Sequence, residues 1–145
     1  MRKLSKLGKA ATIGLLSGII LTVFLKFVET TTHYRVYTLL LNVDYIPYLN
    51  RFQFPELLEI SFHLVVSMAL SILIYLFIDC LQFSSNLKII LLCITICTSI
   101  GVLLFPTTAL STQTPAITSI PSFFYWLLGH VVFGFTLGIL FTKRT

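Results

Sequence analysis

The sequence predicts an all-α membrane protein of four transmembrane helices, arranged as two helical hairpins with both termini on the cytoplasmic side. Three observations carry this expectation. Four apolar runs are each long enough to cross a bilayer, small residues recur every four positions within them, and Lys and Arg gather on one side of the implied membrane. With 57% hydrophobic and only 10% charged residues in 145, the chain is too apolar for an ordinary soluble domain. It reads as one integral membrane domain over 1–145, with spans at about 10–28, 57–78, 87–105 and 122–141.

The first apolar run, 10–28, follows Arg2, Lys3, Lys6 and Lys9. That arrangement resembles a signal peptide, but no small-x-small cleavage site follows and three further spans come later, so an uncleaved first helix is expected. Gly14, Gly18 and Thr22 are four apart and mark its contact face, with Lys26 one step further along the same series. Near the end of a span the lysine stem can snorkel to the interface. The stretch 29–56 mixes Tyr34, Tyr37, Tyr45, Tyr48, Phe52 and Phe54 with Arg35, Asp44 and Arg51, which suits an interfacial outer loop with a short helix around Val36 to Leu41.

The second span, 57–78, stops at Asp79, and the short turn 79–86 leads into the third, 87–105; these two helices are expected to be antiparallel neighbours. Cys93, Cys97 and Gly101 again place small residues four apart, and Pro106 closes the third span. An uncharged loop rich in Ser and Thr follows. The fourth span, 122–141, opens on Phe123, Phe124, Tyr125 and Trp126, which form an aromatic collar expected to anchor at the headgroups, and closes on Lys143 and Arg144. Inside it His130, Gly134 and Gly138 are four apart, repeating His63, Ser67 and Ser71 of the second span. This is an internal repeat. Two helices per repeat give both halves the same orientation, so a pseudo-symmetry axis should run along the membrane normal.

A cytoplasmic N-terminus puts Arg2, Lys3, Lys6, Lys9, Lys88, Lys143 and Arg144 inside and only Arg35 and Arg51 outside, which sets both termini in the cytoplasm. The basic residues flank spans and form no stripe with interleaved aromatics, so their excess reports orientation and not nucleic-acid binding. Cys80, Cys93 and Cys97 contain no CxxC pair and read as small apolar packing residues.

Gly14-Leu-Leu-Ser-Gly18 followed by Phe24-Leu25-Lys26 and Glu29, Ser61-Phe62-His63, Phe105-Pro106 with Leu110, Thr112 and Pro115, and Gly129-His130-Val131 form a set of motifs along the chain. In these the chain resembles the YagU-like family of bacterial inner-membrane proteins. The resemblance covers most of the chain from Lys9 onward. The loop between the first two spans is shorter than in the family, and Lys26 and Glu29 are three apart. The resemblance implies a multi-span plasma-membrane protein of undefined biochemistry.

An ionisable group inside a span costs ~2.5–3.5 kcal/mol at a helix centre and calls for a reason. At ~1.5 Å per residue from the outer boundary, His63 lies about 8 Å deep and His130 about 12 Å deep. Lys26, Glu29 and Glu59 lie at or just inside the same boundary. Glu59 and His63 are four apart on one helical face. The candidate polar or proton site is therefore His63, His130, Glu59, Lys26 and Glu29, while Gly14, Gly18, Ser67, Ser71, Gly101, Gly134 and Gly138 are assigned to helix packing. Two readings of the histidines stand side by side. A neutral imidazole can hydrogen-bond a carbonyl or serine across an interface and only fix packing. It can also change charge as the outside pH falls.

Zinc would need Glu59, His63 and His130 to converge, and a haem would need both histidines as axial ligands. The expectation is no metal and no cofactor. No nucleophile, base and orienter share a credible spacing, and no Gly-rich phosphate loop is present, so an enzyme is not expected. The leading expectation is a structural or interaction component, with envelope or acid stress as its setting. The alternative is a proton-sensitive or proton-coupled small transporter. The expected partners are the lipid bilayer and either a second copy, as a homodimer, or another membrane protein; nucleic acid is not among them.

Overall fold

The computed structural model describes residues 2–144 apart from 44, 45, 47, 49, 50, 53 and 84, with side chains described from Lys6 to Lys143. The side chains of Arg2, Lys3 and Arg144, and residues Asp44 and Tyr45, all used in the reading above, lie outside the described residues. What is described is helical, with no strand. The elements are α1 (Arg2–Thr32), α2 (Val36–Leu41), α3 (Glu56–Leu81), α4 (Asn86–Leu104), a 3-10 segment (Phe105–Leu110) and α5 (Ile120–Arg144). The short helix at Val36–Leu41 lies where the sequence places it.

Helix limits follow local chemistry. His33 takes a left-handed conformation (φ 62°) just past α1, and its N–H donates to the Glu29 carbonyl, which closes the last turn. Pro55 stands in extended geometry immediately before α3, where its missing N–H removes no helical bond, and Glu56 and Glu59 in the first turn complement the positive helix end. Left-handed Gln82 ends α3. Pro106 converts the end of α4 into the 3-10 segment. Several hydroxyls inside the helices bond back to their own backbone, as Thr22 does to the Gly18 carbonyl (2.8 Å) and Thr136 to Val132 (2.8 Å), and these need no water, whereas the buried hydroxyls of Ser17 and Thr98 have no partner among the described residues.

Among the described residues, α1, α3, α4 with its 3-10 extension, and α5 are long and apolar enough to cross a membrane. Each runs past the expected span by a few residues. Their outer surfaces stay apolar, with Val23, Phe27, Leu73 and Leu103 all more than half exposed. A surface that would be costly in water suits hydrocarbon. This is the build of a multi-pass membrane protein.

Close packing runs in the order α3, α1, α5, α4: α1 packs on α3 and on α5, and α5 packs on α4. Among the described residues α3 and α4 do not form a closely packed pair with each other, which corrects the expectation that their short connection makes them antiparallel neighbours. A short turn limits the distance between two helix ends, but contact along their length depends on side-chain fit.

The fit lies in the small-residue seams. A Cβ on Gly14 would stand 2.6 Å from the Ser67 carbonyl oxygen and 2.6 Å from Ser71 Cβ, so only glycine admits α3 at this distance. Gly18 meets Ser67, and Ser71 Oγ donates to the Ala10 carbonyl (2.7 Å). In the other pair, Gly134 lies against the Cys93 and Ile94 backbone and Gly138 against Ile90. Gly101 of the same pair faces the His130 side chain. Cys93 and Cys97 are buried and Cys80 is exposed; all three are free thiols.

Candidate functional site

Because α3 and α4 do not close on each other, a cleft remains between them, and most of its wall is apolar. Glu59 and His63 of α3 and His130 of α5 all line this cavity of about 570 Å³. Leu21, Trp126 and Phe133 line it from α1 and α5, Cys97 and Ile100 from α4, and Leu39 to Leu41 from α2.

His63 sits partly buried with Nε2 at 3.4 Å from Ser67 Oγ, one turn along its own helix. The Gly18 carbonyl of α1 lies within reach of the same ring. His130 is held more firmly and is only 6% exposed. Its Nδ1 is 2.9 Å from the Trp126 carbonyl, which can only accept, so Nδ1 carries the proton and Nε2 of the neutral ring is an acceptor. Trp126 in turn donates from Nε1 to the Gly101 carbonyl of α4 (2.8 Å), and its ring centroid is 4.4 Å from that of His130. Each histidine thus has a glycine of the adjoining helix beside it, Gly18 for His63 and Gly101 for His130, and both histidines line the same cavity.

Lys26 and Glu29 do not join this group. Lys26 Nζ donates to Glu56 Oε1 (2.7 Å) and lies 5.2 Å from the centroid of the Tyr37 ring. Both side chains of the ion pair are about half exposed, so water screens it and it adds little to stability. Tyr37 also donates to the Glu56 carboxylate, and burial, then that carboxylate, pushes its hydroxyl well above the ordinary tyrosine range; it remains a donor at every physiological pH. Glu29 accepts from the backbone N–H and the hydroxyl of Thr38 (2.8 Å each), satisfying the first turn of α2. Of the five polar candidates, the cleft collects three. The other two are engaged by nearer partners where α2 docks on α1 and α3.

Trp126 needs a second correction. It is no headgroup anchor: it is 3% exposed and its indole ties α5 to α4. Its spacing of four from His130 was visible in the sequence, but the acceptor on Gly101 was not. Glu56 and Tyr37 were likewise missed, because Glu56 reads as one more polar residue before a span. Among the described residues no group of three or more His, Cys, Asp and Glu side chains is placed to hold a metal ion, so Glu59, His63 and His130 do not form a zinc site.

The contact between Gly101 and His130 is tight. A Cβ at position 101 would stand 2.8 Å from His130 Cγ and 3.1 Å from its Cβ, the root of a buried side chain with little room to turn. Gly101→Ala is therefore expected to shift His130 together with the local spacing of α4 and α5, read as a changed His130 ring resonance and a lowered unfolding midpoint.

Fold and cavity together define a class, a multi-pass helical membrane protein with a cleft between two of its helices. No protein-family model, curated protein or solved structure matches the chain.

Proposed function

We propose that the chain is a small plasma-membrane protein, related in kind to the YagU-like proteins, whose four spans form two hairpins with both termini cytoplasmic. It acts as an interaction component through the cleft between α3 and α4. The pairing of α1 with α3 and of α4 with α5 supports the hairpins, and the distribution of Lys and Arg supports the orientation. One observation carries the functional reading: Glu59, His63 and His130, the ionisable groups hardest to explain in an apolar span, line the same cavity.

Two positions of equal exposure test it. Val66 and Leu73 are both 63% exposed on α3, and Val66 lines the cleft. A photoreactive side chain at Val66 is expected to capture a bound molecule in the native membrane, giving a discrete mass shift of the protein absent from the same substitution at Leu73. Identical labelling at the two positions would remove the reading. Reporter fusions at each end, expected to be active only in the cytoplasm, test the orientation independently.

A proton-coupled role is the second reading. It is favoured by Glu59 lining both the cleft and the polar cavity next to α2, which gives the histidines a route toward that end of the bundle. Unchanged pH-dependent growth and flux in His63→Gln/His130→Gln would remove it.

A further inference from the structure

A third cavity lies at the end of the bundle away from α2, where the start of α1, the α3–α4 connection and the end of α5 come together. Its volume of about 630 Å³ falls in the range of about 300–1,000 Å³ usual for small-molecule sites. The lining is ordered by depth. Lys6 and Lys9 lie beyond Ile13 toward the helix end on α1, Asp79 lies beyond Ile78 on α3, and Asn86 lies beyond Ile89 on α4. On all three helices the polar lining is outermost and the apolar lining is nearer mid-membrane. A phospholipid presents its head and the roots of its chains in the same order.

We propose that this cavity seats the head of an anionic phospholipid, its phosphate on Lys6 and Lys9 and the roots of its chains over the apolar floor at Ile13 and Ile89. The site is separate from the α3–α4 cleft and does not depend on how the cleft is used. Its charges are unspent: among the described residues Lys6, Lys9 and Asp79 form no ion pair and no hydrogen bond, and all three are exposed. Asp79 opposes an anion, but it is outnumbered. The helix ends that meet here carry seven of the chain's ten Lys and Arg residues and, of its five Asp and Glu, Asp79 alone. A zwitterionic head would bring an ammonium into that excess of cations and gain less from it. Inorganic phosphate would use the lysines and leave the apolar floor without a partner. Membrane orientation asks only for positive charge at this end. It does not ask that two lysines border a cavity between helices, which is the arrangement that holds acidic lipid heads.

The test is native mass spectrometry of the full chain in detergent, titrated with phosphatidylglycerol and, separately, with phosphatidylcholine of the same chains. The first phosphatidylglycerol is expected to bind about tenfold more tightly than phosphatidylcholine, and Lys6→Gln/Lys9→Gln should bring it down to the phosphatidylcholine level. Lys88→Gln/Lys143→Gln is the matched control. It removes the same charge from the same end at exposed positions outside the lining, and should weaken binding less than about threefold because solvent screens charges that do not touch the head. Asp79→Asn should tighten phosphatidylglycerol binding, a gain that no loss of folding can imitate.

Equal binding of the two lipids by the wild type, or equal weakening in the two double variants, would overturn the proposal, since the charge would then act as a diffuse field and not as a site. Weaker binding in Asp79→Asn would show the carboxylate holding the head and would overturn the anionic assignment. Displacement of the first phosphatidylglycerol by excess inorganic phosphate, at an ionic strength matched with chloride, would assign the lysines to free phosphate and overturn the lipid.

Discussion

Gly134→Val is expected to unseat α5 from α4 and cost the protein about 3 kcal/mol or more, at or above the top of the range for overpacked cores. The reason is what the new carbon would strike. A Cβ at 134 would stand 2.7 Å from both the Cys93 carbonyl oxygen and Ile94 Cα, backbone atoms of a helix that cannot rotate out of the way. The helices would have to separate, and the contacts of Gly138 on Ile90 and of Trp126 on Gly101 would loosen with them. Reversible unfolding in mixed detergent and SDS, followed by circular dichroism, would show the midpoint moved far toward low SDS. Gly134→Ala should fall between the wild type and valine, since one methyl already meets those atoms. A midpoint unchanged in both would mean that α4 and α5 do not approach this closely.

Trp126→Phe should cost less, about 1–2 kcal/mol, and should be informative about the cleft. Phenylalanine keeps a ring beside His130 but removes the only indole N–H, leaving the buried Gly101 carbonyl without that donor. Trp126→Ala adds loss of the ring itself and should approach about 3 kcal/mol, the lower end for large aromatics removed from cores. Because Trp126 touches both Gly101 and His130, the effects of Trp126→Phe and His130→Gln should not add; a double-mutant cycle on the same unfolding signal measures the coupling. Strict additivity would show that the indole and the imidazole do not act as one unit.

Much of this architecture can be read along the chain. The four membrane-capable helices, the short helix at Val36–Leu41 and the glycine and serine seams all follow from hydropathy, spacing and turn chemistry, which are local properties. The two histidines of the cleft also stand out in the sequence, because an ionisable group within an apolar run is costly and calls for a reason, whether packing or a change of charge. Lys26 shows where such reading stops. Its depth near the outer boundary grouped it with the histidines, yet its partner is Glu56, thirty positions away and one turn before Glu59. Spacing on α1 says which way Lys26 faces and nothing about which carboxylate of α3 arrives there. Trp126 fails in the same way: an aromatic near a span end ordinarily anchors at headgroups, and only the approach of the Gly101 carbonyl makes it a buried tie.

The sequence by itself therefore determined that the chain forms long apolar helices and which narrow stripes on them can touch. Backbone bonds in such helices close within each segment, and apolar length is a sum over neighbouring residues. Only the tertiary structure decided which stripes meet. In hydrocarbon no hydrophobic force ranks one helix pairing above another, so the choice falls to van der Waals fit and a few interhelical hydrogen bonds between residues far apart in the chain. That choice packed α1 and α5 at the centre, kept α3 off α4, and left Glu59, His63 and His130 around the cleft between them.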